Sequence, residues 1–150
     1  MKLLIKFPTK NRKNKFFKVL KQYQNLCEDI ENTQFLITLD NNDDEMNSSE
    51  VSDIFNTFKN VKVVYGDSDS KIHAINRDIE LADEWDIVLL ASDDMTPKVK
   101  GYDNIIRSKM KEFYPDTDGI LWFNDGHQTN RLNTLCILGK KYYERFNYIY

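Results

Sequence analysis

The chain has 150 residues, 41% hydrophobic and 30% charged, with only 5 Gly and 3 Pro, which suits one domain with a real core and excludes a disordered or linker-like protein. A formal net charge of −3 offers no general electrostatic case for nucleic acid, and the basic stretch "KNRKNKFFK" reads as the solvated face of a helix. No apolar run reaches the length of a signal peptide or a membrane span, and Cys27 and Cys136 lack metal-site spacing, so the expectation is a cytoplasmic protein with two reduced core thiols.

Leu3 to Phe7 reads as a first strand, stopped by Pro8. Phe16, Val19, Leu20, Tyr23, Leu26 and Cys27 recur at helical spacing. Phe35 to Leu39 is a second strand ending at Asp40. After "DNNDDEMN", Asn47 and Glu50 resemble a capping box for a short helix with Val51, Ile54, Phe55 and Phe58 on its apolar face. Val61 to Tyr65 is a third strand, closed by Gly66 and Asp67. Ser70 then caps a helix carrying Ile72, Ile75, Ile79 and Ala82. Ile87 to Ala91 is a continuous apolar run, as expected of a strand covered on both faces. A helix over Tyr102 to Phe113 presents Ile105, Ile106, Met110 and Phe113. Ile120 to Phe123 is a fifth strand, with Trp122 and Phe123 read as core. Leu132 to Leu138 is a sixth, and a last helix carries Tyr142, Tyr143 and Phe146.

Strands alternating with amphipathic helices predict an α/β fold with a mostly parallel sheet flanked by helices. In such sheets ligands bind beyond the carboxyl ends of the strands. The residues at those ends are Thr9 and Arg12, then Asp40 and Asn41, Asp67, Asp93 and Asp94, and finally Asn124 and Asp125. Acids recur at nearly every exit. Two adjacent carboxylates such as Asp93 and Asp94 repel unless water, a cation or donors compensate them. An acidic rim that takes an anionic ligand needs a divalent cation, and oxygen ligands point to Mg2+ or Mn2+.

An ordered set of segments resembles the family 2 glycosyltransferases of the GT-A fold. "FPTKNR" is similar to the family's opening strand and turn, "ITLDNND" to its second strand with a base-contacting acid, and "SKIHAINRDI" to its Lys-to-Ala-x-Asn helix. "LLASDDMTP" stands where the family places its Asp-x-Asp metal motif, and "GILWFNDG" resembles the following strand on the acceptor side. The resemblance implies a GT-A-like (Rossmann-like) domain over residues 1–150, or the donor-binding part of one, since the family usually continues into an acceptor-side region. It implies a nucleoside-diphosphate sugar as donor, a hydroxyl acceptor, and inversion. Asp40 would contact the nucleobase, bordered by Thr9 and Arg12, with Lys71 and Asn76 from the third helix also on the donor. Asp93 and Asp94 would hold the metal, although the motif reads Ser92-Asp93-Asp94 and leaves the liganding acid open. Asp125 is the candidate general base by position.

Two other readings stay open: a nucleotide- or sugar-binding module without turnover, completed by a partner, and a doubly wound regulatory domain with a Mg2+-binding acidic pocket. The aromatic end "FNYIY" suggests an oligomer contact. "DSDSKIHAINRDIE" fails as a calcium loop, because Ile72 stands where the turn requires Gly. No nucleophile elbow, P-loop or dinucleotide fingerprint occurs.

Overall fold

The computed structural model describes residues 1–124 and 134–149. Eleven elements are named here in chain order. They are β1 (Leu3–Pro8), α1 (Lys13–Leu26), β2 (Thr33–Asp40), α2 (Ser49–Phe55), β3 (Val61–Gly66), α3 (Lys71–Asn76), β4 (Ile87–Leu90), α4 (Tyr102–Phe113), β5 (Ile120–Leu121), β6 (Ile137–Gly139) and α5 (Lys140–Glu144). The sheet order is β3-β2-β1-β4-β6-β5. The first four strands are parallel; β6 runs antiparallel to both β4 and β5. The predicted mostly parallel α/β architecture is what the chain adopts.

Side chains alternate across the pleat, so each central strand serves two cores. On one face Leu3, Ile5, Phe7, Phe35, Ile37, Leu39, Ile87 and Leu89 pack under α1, α2 and α4. Phe7 meets Phe16 of α1 edge-on at 4.8 Å. On the other face Leu4, Leu36, Val88, Leu90 and Leu138 pack against Ile75, Ile79, Trp85 and Ile149. The run Ile87 to Ala91 is buried throughout, as its unbroken apolarity predicts.

The local differences from expectation have identifiable causes. The cap of α2 is Ser48, whose hydroxyl accepts from the Val51 N–H; Asn47 instead donates its amide to the Asp40 and Asn41 carbonyls. Ser70 caps α3 as expected, but the helix stops at Asn76 rather than running to Ala82. Arg77 is extended, Asp78 has φ 71°, and the chain resumes as a short 3-10 turn at Ile79–Leu81. β6 is three residues rather than seven, the rest of Leu132–Leu138 lying partly outside the described residues. Phe113, Trp122 and Phe146 are exposed, contrary to their reading as apolar packing residues. Cys27 and Cys136 are both free, the first buried and the second partly so.

Of the fully buried charged groups, two stand at opposite ends of this frame. At the amino edge, Asp103 in the first turn of α4 accepts from the backbone N–H groups of Glu28 (3.0 Å) and Asp29 (2.9 Å) and from Arg107 Nη1 (2.7 Å). Arg107 extends the clamp to the Met1 and Asn32 carbonyls. α4 can start here because Gly101 turns through φ 73°, where an added Cβ would collide with Glu28. Nearer the carboxyl edge, Lys6 occupies the second face of β1. Its Nζ donates to the Thr38 hydroxyl and, at 2.8 Å, to the Arg77 carbonyl.

Both groups make stability rise with pH, in different windows, because each holds its proton more weakly in the folded chain than in the unfolded one. Burial raises the Asp103 carboxyl, but its three donors overcome this and bring it to about 2. Because the folded value lies below the unfolded one, the stabilisation is complete above about pH 4 and is lost as pH falls toward 2. Urea titrations should show about 2 kcal/mol disappearing across that window, and a flatter profile there for Asp103→Asn. Lys6 is lowered to about 8, chiefly by burial, against the attraction of Asp78 and Glu80. Between about pH 8 and 10 the unfolded chain then binds more protons, so the lysine contribution rises with pH. Cys136, pushed up to about 11 by burial, works in the opposite direction. The comparison with Lys6→Met therefore isolates the lysine: the wild type should gain about 2 kcal/mol relative to that variant from pH 8 to 9.5.

Candidate functional site

In the order β3-β2-β1-β4, the chain builds outward from β1 in one direction and then returns to β1's other side. The seam between β1 and β4 is therefore the topological switch point, where an open α/β sheet leaves a crevice at its carboxyl edge. The loop after β1 is tied to both neighbours. Toward β2, Lys10 Nζ bridges Asp40 and Asn42 at 2.9 Å each, and the Asn11 N–H donates to Asp43 at 2.7 Å. Across the seam, Arg12 Nη1 donates to Asp93 Oδ1 at 2.8 Å, with Lys15 Nζ 3.7 Å from the same oxygen.

The two adjacent acids after β4 have different environments. Asp93 is buried and turned to Arg12. Asp94 is exposed, accepts from the Ser92 hydroxyl, and is held below the usual carboxylate range first by that bond and then by Lys15 and Lys71. The Lys71 charge, from the first residue of α3, is thus felt at Asp94. Beside Asp94 opens a cleft of about 750 Å³, lined by Met95, Pro97, Val99, Tyr102 and Phe123 among others.

On the β2 side, burial would raise Asp40, but bonding from Ser68 and the charges of Lys10 and Arg77 bring it below its ordinary value. Arg77 was not marked by the sequence reading. Its guanidinium donates to the Leu39 carbonyl (2.6 Å), Ser68 Oγ (2.9 Å) and Asp78 (2.7 Å), and lies 3.7 Å from Asp40. The space it fills exists because residue 66 is Gly: a Cβ there would stand 2.3 Å from Arg77 Nη1. A glycine closing a strand, followed by an arginine a short helix later, was the available signal.

The structure brings Thr9, Arg12, Asp40 and the Asp93–Asp94 pair to one edge. Thr9 is buried and its hydroxyl has no hydrogen-bond partner among the described residues. Such a group requires a partner, normally water or ligand. Asn76 is placed differently: its amide donates to the Ile149 carbonyl (3.1 Å) and accepts from the Ile149 N–H (2.6 Å), anchoring the end of the chain to α3. Asp125 lies outside the described residues. The edge is also less acidic than the strand exits imply, since Lys10, Arg12, Lys15 and Arg77 pair with Asp40 and Asp93. Among the described residues no group of three or more His, Cys, Asp or Glu side chains is placed to hold a metal ion.

No family model matches the chain, and no curated protein matches it in sequence. Among solved structures, it is similar to a mannosyltransferase from Pyrobaculum calidifontis in complex with GDP-Man and Mn2+, with TM-score 0.78 and 13% identity over 99% of this chain and 47% of that one. It is similar to S. aureus TarS 1-349 in complex with UDP-GlcNAc, with TM-score 0.66 and 17% identity over 87% and 37% of the two chains. It is also similar to a 4-diphosphocytidyl-2C-methyl-D-erythritol synthase from Anaerococcus prevotii, with TM-score 0.63 and 12% identity over 97% and 74%. The chain spans less than half the length of the mannosyltransferase and of TarS 1-349. At these identities the likeness is one of fold: the chain has a GT-A-like, Rossmann-like architecture, the one seen in these nucleotide-sugar complexes.

Proposed function

We propose that this chain binds a nucleoside-diphosphate sugar at the carboxyl edge of β1, β2 and β4 and serves glycosyl transfer to a hydroxyl acceptor. The observation that carries the reading is the outward, cation-flanked Asp94 at the switch point, beside an inward Asp93 locked to Arg12. The similarity to folds holding GDP-Man with Mn2+ and UDP-GlcNAc supports the donor class.

Asp40, kept ionised, accepts an N–H from the nucleobase, and the unpartnered Thr9 hydroxyl bonds to the same ligand. Asp93 orients Arg12, while Lys15 and Lys71 add positive charge near the diphosphate. A Mg2+ or Mn2+ ion bound with substrate phosphates needs only one or two protein carboxylates, so the donor set fits such an ion without a three-acid cluster. Asp94 would be its ligand, the exposed carboxylate of the pair, outside ion-pair distance of a cation among the described residues. When bound, the ion supplies Lewis-acid stabilisation of the departing diphosphate. Asn76 then contributes indirectly, by fixing the helix that begins at Lys71. Asp125 remains the proposed general base, taking the acceptor proton. Inversion is carried over from the family resemblance, and the proposed cytoplasmic location from the sequence-based expectation; no helix among the described residues is long and apolar enough to cross a membrane. Exposed Phe146 and Tyr148 are the proposed self-association contact.

A second reading, a donor-binding module completed by another chain, draws on the less-than-half coverage of the two nucleotide-sugar complexes. It predicts the same donor binding without turnover.

Calorimetric titration of UDP, GDP, UDP-GlcNAc and GDP-mannose, with and without Mn2+, tests the proposal. One nucleotide should bind in a Mn2+-dependent manner, at least about tenfold more weakly to Asp94→Asn. Because Asp94 is exposed, that variant should keep its stability within about 0.5 kcal/mol. Absence of binding by all four, in either condition, would sink the donor site; Mn2+ binding without nucleotide would favour a regulatory cation site.

A further inference from the structure

Lys6 is buried completely in the central strand, yet it has no carboxylate within ion-pair distance among the described residues; its two hydrogen-bond partners are the neutral Thr38 hydroxyl and Arg77 carbonyl. A buried cation held only by neutral groups is not explained by stability. The fold disfavours its charged form, and an apolar side chain of similar volume is often tolerated as well or better in such a place. What the ammonium does supply is a donor where the chain needs one. The corner after α3, with Arg77 extended and Asp78 at φ 71°, turns the Arg77 carbonyl away from the helix ladder and into the sheet face. There Lys6 receives it.

The other end of Arg77 is the guanidinium bonded to the Leu39 carbonyl and Ser68, 3.7 Å from Asp40. Arg77 is therefore held at both ends, from the sheet interior by Lys6 and at the carboxyl edge by its side-chain partners. We propose that Lys6 is a positioning residue of the donor site, fixing the Arg77 corner so that the guanidinium and Ser68 hold Asp40 in place for the nucleobase. The proposal rests on the donor-site reading of Asp40. The chain of contacts from Lys6 to Asp40 stands independently of it.

The test compares the wild type with Lys6→Met and with Asp103→Asn, which weakens the fold at the opposite edge. Side-chain NMR follows the Arg77 Nε–H, bonded to Ser68, and the 13C titration of the Asp40 carboxyl. In Lys6→Met the Arg77 signal should shift and the Asp40 midpoint should rise toward the ordinary carboxylate value, whereas Asp103→Asn should move neither. Unchanged Arg77 and Asp40 signals in Lys6→Met overturn the proposal, as does an equal displacement in Asp103→Asn, which would mark a general loosening. If Lys6→Met does not fold, the wild type alone decides: the charged groups facing Lys6 are Arg77, Asp78 and Glu80, and the Arg77 Nε–H chemical shift should report the deprotonation of Lys6, with a midpoint near 8. A flat response there is the contrary result. Calorimetry with UDP and GDP in the presence of Mn2+ adds the functional arm. Affinity should fall about fivefold in Lys6→Met, the worth of one displaced hydrogen bond. Unchanged affinity would overturn the positioning role. If the wild type binds neither nucleotide, the donor reading fails, and the carboxyl titration still decides whether Lys6 places Arg77 and Asp40.

Discussion

Everything at the carboxyl edge depends on where β1 lies. It is the strand with β2 on one side and β4 on the other, buried on both faces, and its exit loop must connect to α1 over the seam at which the strand order reverses. A loop leaving such a strand has to be held in place, because only Thr9 is buried and Lys10, Asn11 and Arg12 stand exposed beyond it. Ion pairs solve the problem on both flanks, with Lys10 reaching Asp40 and Arg12 reaching Asp93. Exposed pairs contribute little to stability, but in these two the carboxylate is largely buried and the cation is the exposed member. Their effect is to set the separation and orientation of three strand ends.

This arrangement changes how the acids at the edge are understood. Acids alone suggest an electronegative rim that only a metal could reconcile with a phosphate ligand. In the folded chain Asp40 and Asp93 are spoken for by basic residues from β1's loop, α1 and the α3 corner. Asp94 is left as the exposed carboxylate of its pair, its proton affinity lowered first by the Ser92 hydrogen bond and then by Lys15 and Lys71. A site of this kind meets an anionic ligand with mixed charge and can still present one carboxylate to a divalent ion.

Asp103 and Lys6, two of the buried charges, illustrate different uses of the same cost. Asp103 is stabilised by the bonds it receives and ties α4 to the amino edge, opposite the proposed donor site. Lys6 is not favoured by its surroundings and sits under the edge where the ligand site is proposed. Rules relating sequence to structure tend to be broken at functional sites, and a lysine at an apolar position of the central strand is such a break.

The sequence by itself determined the alternation of strands and helices, the first four strands nearly to the residue, the Ser70 cap, and Thr9, Asp40, Asp67 and the Asp93–Asp94 pair as residues at the exits of those strands. Each of these is written in local periodicity or in a side chain reaching its own backbone. It did not reveal the end of α3 at Asn76, since Ile79 keeps helical spacing with Ile75 even though Asp78 turns left-handed between them. Nor did it separate Ser48 from Asn47 as a cap, because both residue types cap helices and only the fold shows Asn47 engaged with Asp40 and Asn41. Asp93 and Asp94 are chemically identical neighbours, distinguished only when Arg12 arrives from 81 residues away. Lys6 and Arg77 escaped for the same reason: a lysine in a strand or an arginine after a helix reads as solvated until its long-range partners are in place. Tertiary structure decided which charges are paired, which are buried and which one faces outward, because these depend on groups distant in sequence that meet only when β1 is flanked on both sides.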